Sequence, residues 1–296
     1  MRTSTPSSGG EPAEAARDQA ASLSYSVFAA SDPAHVHRVA ARVRELATDY
    51  EPPSFDHVPD PDAALFLCAI DHRTGYRSRY LVGGHGPFEG SALLWAVGLQ
   101  AAGRHPRLLT AASLRDVDAH RVAEVFRIGG ETVAGPERRA ALWRDLAAGL
   151  ERDHGGEAEA LLGAADGRLG GLGGLLELLG RYDAYSDPLH KKSLLFAKIC
   201  ARRGWFEVHD PESWEVCSDN VLMRLALRSG LVHPGSLPEV RAATMRAFKD
   251  VAGEASIPPP ALDDLLWERG RDDPDLLGTH GGDLDEPRRD PDSHWY

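Results

Sequence analysis

Lysine is scarce in this chain, and its placement is the first chemical signal. Of 33 basic residues 29 are arginine, and three of the four lysines, Lys191, Lys192 and Lys198, fall within eight positions. Arginine stays protonated and cannot act as a nucleophile, whereas a desolvated lysine can. In the segment HKKSLLFAKIC, from His190 to Cys200, Lys192 and Phe196 stand one helical turn apart. Leu194, Leu195 and Ile199 can anchor that helix in a core. An amine beside an aromatic ring and apolar neighbours is partly desolvated, which lowers its pKa. The same residues also fit a surface lysine whose stem covers apolar area.

Two further stretches carry chemistry. Cys217-Ser218-Asp219-Asn220 precedes the apolar Val221-Leu222-Met223, so Asp219 stands where a helix N-cap belongs. Capping alone accounts for it, but a helix N-terminus also keeps a carboxylate ionised and oriented. Such a carboxylate suits a positively charged, sugar-like transition state. In IPPPALDDLLWERGR, from Ile257 to Arg271, prolines lead into a short helix with Asp263 and Trp267 spaced i, i+4. A flat ring one turn from a carboxylate can stack on a heterocyclic base while the carboxylate meets its edge. An ordinary first-turn aspartate and a core tryptophan fit equally well.

Taken together, Lys-Ser-Leu-Leu-Phe, the helix-opening aspartate and Leu-Asp-Asp-Leu-Leu-Trp-Glu-Arg-Gly-Arg resemble the archaeal 8-oxoguanine DNA glycosylases of the helix-hairpin-helix superfamily. The resemblance runs from about Gly90 to Arg271 and is sharpest in the last eighty residues. It implies a mostly α, two-lobed helical fold with the base pocket between the lobes. Lys192 matches the nucleophilic lysine and Asp219 the catalytic aspartate. Phe196 and Trp267 match the aromatics that sandwich an extruded base, and Asp263 a base-edge contact. Arg224 and Arg228, on the helix that Asp219 opens, are candidates for DNA backbone contacts. The expected activity is excision of a damaged or hypermodified base from DNA, with a lysine nucleophile and a lyase step. The biological setting would be base-excision repair or defence against phages with modified DNA. No cofactor and no metal are implied.

The sequence also departs from that pattern. The glycine-rich hairpin before the lysine is replaced by Ser186-Asp187-Pro188-Leu189, and Asp219-Asn220-Val221 replaces the aspartate-tyrosine-arginine run. The N-terminal part is closer to the queuosine-nucleotide glycosidases, which share the Lys…Asp…Leu-Asp-x-x-Leu-Trp skeleton. The alternative activity is therefore release of queuine from queuosine 5′-monophosphate. Both families cleave an N-glycosidic bond.

The elements that must hold these residues read as follows. Residues 1–25 are rich in Ser, Pro, Gly, Ala and Glu and predict a disordered leader. Asp32-Pro33 opens a first helix. A four-proline loop spans 51–62, and the runs Ala64–Ile70 and Tyr76–Val82 around Asp71-His72-Arg73-Thr74-Gly75 predict a β-hairpin. A strongly apolar helix covers Gly90–Ala102. Further helices fall near 113–128, 136–154, 157–164, 171–180, 188–203, 219–230, 237–252 and 260–270. The main domain spans 26–271, and an acidic tail from 272 to 296 lies over the surface or is disordered.

Composition sets the outer limits. With 296 residues and 42% hydrophobic content the chain can build one large core or two smaller ones. No apolar run is long enough to span a bilayer, so no membrane partner is expected. Three cysteines at Cys68, Cys200 and Cys217 form neither a disulfide framework nor an iron–sulfur set and point to the reducing cytoplasm. The net charge of −12 sits largely in the tail, with a mildly basic stretch over 181–249. His35-Val36-His37 and Asp71-His72 lack Cys or Glu partners at ligand spacing for a metal site, and no Gly-x-Ser-x-Gly elbow supports a hydrolase triad. A monomer is expected.

Overall fold

The computed structural model describes residues 32–280 and 293–295. Twelve α-helices and one two-stranded sheet are found among them, which makes the chain mostly α. The predicted leader lies outside the described residues.

Helix α1 (Pro33–Ala47) begins where Asp32 accepts the Ala34 amide and Pro33 fills the first turn. Helix α2 (Pro61–Ile70) begins in the same way, with the Asp60 side chain accepting from Ala63 N and proline at its first position. Its residues Ala63–Ile70 are all buried, so it runs through the centre of the first core as a helix apolar all round. The expected strand over Ala64–Ile70 is corrected here. An unbroken apolar run shows no period, and only its cap distinguishes a buried helix from a buried strand.

The hairpin lies later, between β1 (Tyr80–Val82) and β2 (His85–Phe88), in antiparallel register Tyr80↔Phe88 and Val82↔His85. Gly83 and Gly84 both have positive φ, the combination a two-residue hairpin turn requires. Then come α3 (Gly90–Arg104), α4 (Ala111–Leu114), α5 (Ala119–Val125), α6 (Pro136–His154), α7 (Ala158–Ala165), α8 (Leu175–Leu179) and α9 (Lys191–Arg202). The expected single helix over 113–128 is broken into α4 and α5 because Asp118 caps a new start at the Arg121 amide. Helices α10 (Asn220–Arg228), α11 (Leu237–Ala255) and α12 (Pro259–Gly270) complete the set.

Two apolar cores result. The first draws on residues from Val58 to Cys217 and is organised around α2, against which α6 and α9 pack. The second combines α1 with α10, α11 and α12, and α1 lies along α11. Leu276 and Leu277 are buried in this second core, so the chain beyond α12 begins inside the molecule rather than as a free tail. Ser293–Trp295 then packs back on the first core. His294 meets Arg138 at 2.8 Å and the Asp183 carbonyl at 2.7 Å, and Arg73 donates to the Ser293 carbonyl.

Candidate active site

The first lysine of α9, not the second, is the one whose ammonium is stabilised by the aspartates Asp71 and Asp219. Lys191 is half-buried at the helix start. Burial opposes its charge, but Asp71 and then Asp219 outweigh that and hold its ammonium above the usual lysine range. Among the described residues it closes no contact ion pair with either carboxylate. The charges act across a gap.

Each member of this group is fixed by its element. Asp219 caps α10, with Oδ1 accepting the amides of Val221 at 2.9 Å and Leu222 at 3.1 Å. Burial raises its pKa above the ordinary carboxylate value, and the Lys191 charge and those two amides partly offset the rise. Asp71 ends α2 and accepts from Ser91 Oγ at 2.8 Å and Trp95 Nε1 at 3.1 Å, both on α3. The start of α9 is held by Asp187, whose carboxylate accepts the Leu189 and Lys191 amides, each at 3.1 Å. Arg241 of α11 grips that carboxylate at 3.1 and 2.8 Å, and the Ser218 hydroxyl donates to the Arg241 carbonyl. One buried network thus sets α9 and the approach to α10 against each other.

Strain and unmet hydrogen bonds gather at the same place. His190, directly before Lys191, has φ 54°, a left-handed conformation uncommon for a residue with a side chain. Its Nδ1 and the Oδ1 of Asn220, next to Asp219, are buried without a hydrogen-bond partner. Burial lowers the His190 pKa and keeps its ring neutral. The two unpartnered atoms are two of eleven such buried side-chain atoms among the described residues, and these two adjoin Lys191 and Asp219 in sequence.

The other sequence-predicted residues have partners of their own, and Asp263 lies near enough to Asp219 for its charge to raise that carboxyl's pKa. Lys192 is 0% exposed and donates to the Ala69 carbonyl at 2.6 Å, with His72 Nδ1 at 3.2 Å. Burial and the Lys191 charge push its pKa well down, and its full burial closes it to a substrate. It satisfies one of the carbonyls that α2 leaves open at its C-terminus. Phe196 is 0% exposed in the first core, whereas Trp267 is half-buried against the second with Arg271 over its ring at 5.5 Å. Asp263 accepts from Lys198 at 2.5 Å and from the Cys217 amide at 2.8 Å, so both its oxygens are taken. Arg224 donates to the Gly270 carbonyl at 2.7 Å, and Arg228 to Asp275 at 2.6 Å, so each already has a partner within the chain.

Lys191, Asp71, His190 and Asn220 were missed at the sequence level. The helical face provides a signal. Lys192, Phe196 and Ile199 share the buried side of α9, while Lys191 and Leu195 share its more open side.

Among the described residues no group of three or more His, Cys, Asp or Glu side chains is arranged to hold a metal ion. The three cysteines are free and buried. No described helix is long and apolar enough to cross a membrane. No protein-family model matches the chain, and no curated protein matches it.

Proposed function

We propose that this protein hydrolyses the N-glycosidic bond of a modified nucleotide, with Asp219 as the catalytic carboxylate and water as the attacking group. The observation that carries this reading is the Lys191–Asp219 pair, set on two helix starts and flanked by the unpartnered His190 and Asn220 atoms. As the C1′–N bond lengthens, positive charge grows on the sugar, and an adjacent carboxylate stabilises it. Water then bonds to C1′, its proton passes to Asp219, and the base leaves with the bonding electrons and takes a proton from solvent. The Lys191 charge favours the ionised form of Asp219 against the pull of burial.

Neither lysine suits a Schiff-base mechanism. Lys192 has the lowered pKa but is fully buried, and Lys191 is partly exposed but is held as an ammonium. This supports hydrolysis over a lyase step. It also favours the free nucleotide, of the queuosine 5′-monophosphate kind, over base excision from DNA, as do the internal partners of Arg224 and Arg228 and the acidic net charge. DNA is the second reading, supported by the resemblance of the lysine, aspartate and tryptophan segments.

Chromatography of released base separates the two. Queuosine 5′-monophosphate should yield queuine at a rate nearly independent of salt, and borohydride should trap no adduct on 8-oxoguanine or glucosylated-cytosine duplexes. Excision from a duplex with a steep salt dependence and a trapped lysine adduct would reverse the assignment. Failure of every modified base tested would sink the glycosidase reading itself.

A further inference from the structure

Away from that site, a cavity of about 630 Å³ opens where the end of α3 meets α4, α5 and α6. Its floor is apolar, with Pro106, Val117 and Val125 reachable from the cavity and the fully buried Trp143 and Leu114 beneath them. Its rim carries the guanidinium groups of Arg104, Arg107 and Arg121, all exposed to solvent, with no carboxylate among the lining residues. The turn after α3 creates this rim. The His105 amide closes the helix on Ala101 and Ala102, and the Leu108 amide turns back to the His105 carbonyl. This leaves Arg104 and Arg107 at the same mouth.

The electrostatics are unusual for a chain of net charge −12. Most arginines in the described residues hold a carboxylate or a backbone carbonyl, whereas Arg104 and Arg107 have no side-chain partner among those residues. Arg121 has only Glu124 at 3.7 Å, a distance at which the pair is loose. Trp143 is pinned by its Nε1–H to the Phe66 carbonyl at 2.7 Å, so the floor is rigid.

An apolar floor with convergent guanidinium groups is the complement of an organic phosphate. The floor takes a flat ring and the arginines take the phosphate oxygens. The volume lies within the range that holds a small ligand, roughly 300–1,000 Å³. We infer that this cavity is a second binding site, separate from the Lys191–Asp219 pair, for a small phosphorylated heterocycle of nucleotide size. The site does not depend on the glycosidase reading.

Calorimetric titration of the full chain with guanosine 5′-monophosphate, guanosine and inorganic phosphate tests it. Saturable binding of the monophosphate is expected, with the nucleoside and the inorganic ion each at least about tenfold weaker, because ring and phosphate both contribute. The double variant R104E/R107E should weaken the monophosphate by about tenfold or more, and R127E, an equal type of change outside the cavity, by less than about twofold. Thermal melting of the double variant should match the wild type, since both side chains are exposed. Undiminished binding by R104E/R107E would place the nucleotide at the other site and overturn the inference. Equal binding of inorganic phosphate would reduce the cavity to an ion site, and preference for duplex DNA over the mononucleotide would also overturn it.

Discussion

Asp219 costs the fold something that its proposed role requires. A carboxylate whose folded pKa is raised binds its proton more tightly when folded, so stability falls as pH climbs from its unfolded pKa through the folded one. Asn can take over the N-cap without the charge, so Asp219→Asn should melt at or above the wild-type temperature while turnover drops by about 10²- to 10⁴-fold. A melt several degrees lower, or turnover within a few-fold of wild type, would count against the role given to this residue. Lys191→Met tests the partner. Without the ammonium, Asp219 ionises less readily, and the acid limb of the kcat/KM profile should move to higher pH. A profile lowered in height but unmoved along the pH axis would assign Lys191 to substrate binding alone.

At the scale of elements, the Asp187–Arg241–Ser218 network decides whether the starts of α9 and α10 meet correctly. Asp187 and Arg241 are 2% and 4% exposed, so removing one partner strands the other charge away from water. Arg241→Ala should therefore cost about 3–5 kcal/mol in urea unfolding. Lysine at 241 should not restore it, because the two-pronged contact needs a guanidinium. Burial pushes the Asp187 pKa up, but the Arg241 bonds outweigh it and leave it below the usual value. Its contribution is then present above the unfolded carboxylate pKa of about 4 and is lost as pH falls through the lower folded one. The stability gap between wild type and Arg241→Ala should accordingly narrow on acidification below about pH 4.

Much of this element scale was legible in the sequence. Asp32-Pro33 and Asp219 announced their helices through caps, and the span 136–154 was read to the residue. Helix α2 was not, although Asp60-Pro61 carries the same signal as Asp32-Pro33. The prolines around it read as loop, and an all-apolar run has no period to contradict a strand. The site was half legible for a related reason. Desolvation picked Lys192 as the reactive amine, and the same apolar spacing buries it completely. Asp71 was not placed beside Lys191, because its partners Trp95 and Lys191 come from α3 and α9 and only the folded chain brings them near.

At the scale of the molecule, the two cores are interleaved along the chain. The second takes α1 from the start and α10–α12 from the end, the first takes nearly everything between, and His294 returns to the first. Val39 and Val43 of α1 are fully buried against that late partner, and Arg38 donates to the Ser229 carbonyl at 2.9 Å. A chain beginning at Glu51 should lose about 3–6 kcal/mol from those two side chains alone. Hydrogen exchange should then show the amides of α10–α12 opening well before those of α2. Unchanged protection in α10–α12 would mean that α1 is an appendage rather than a wall of the second core.

The pairing of α1 with α11 also fixes when, during synthesis, the proposed site becomes complete. Helix α1 is made first, but α11 follows only about 190 residues later. At 5–20 residues per second that is a wait on the order of ten to forty seconds. Throughout it, Val39 and Val43 have no surface to cover. The first core can assemble meanwhile, and Lys191 and Asp219 are both already made. Arg241, which sets their helices against each other, and α11, which α1 must meet, arrive only near the end. A chain released early at Ser229 would carry both members of the pair without the clamp that aligns them, so assembly of the site belongs to the closing seconds of translation.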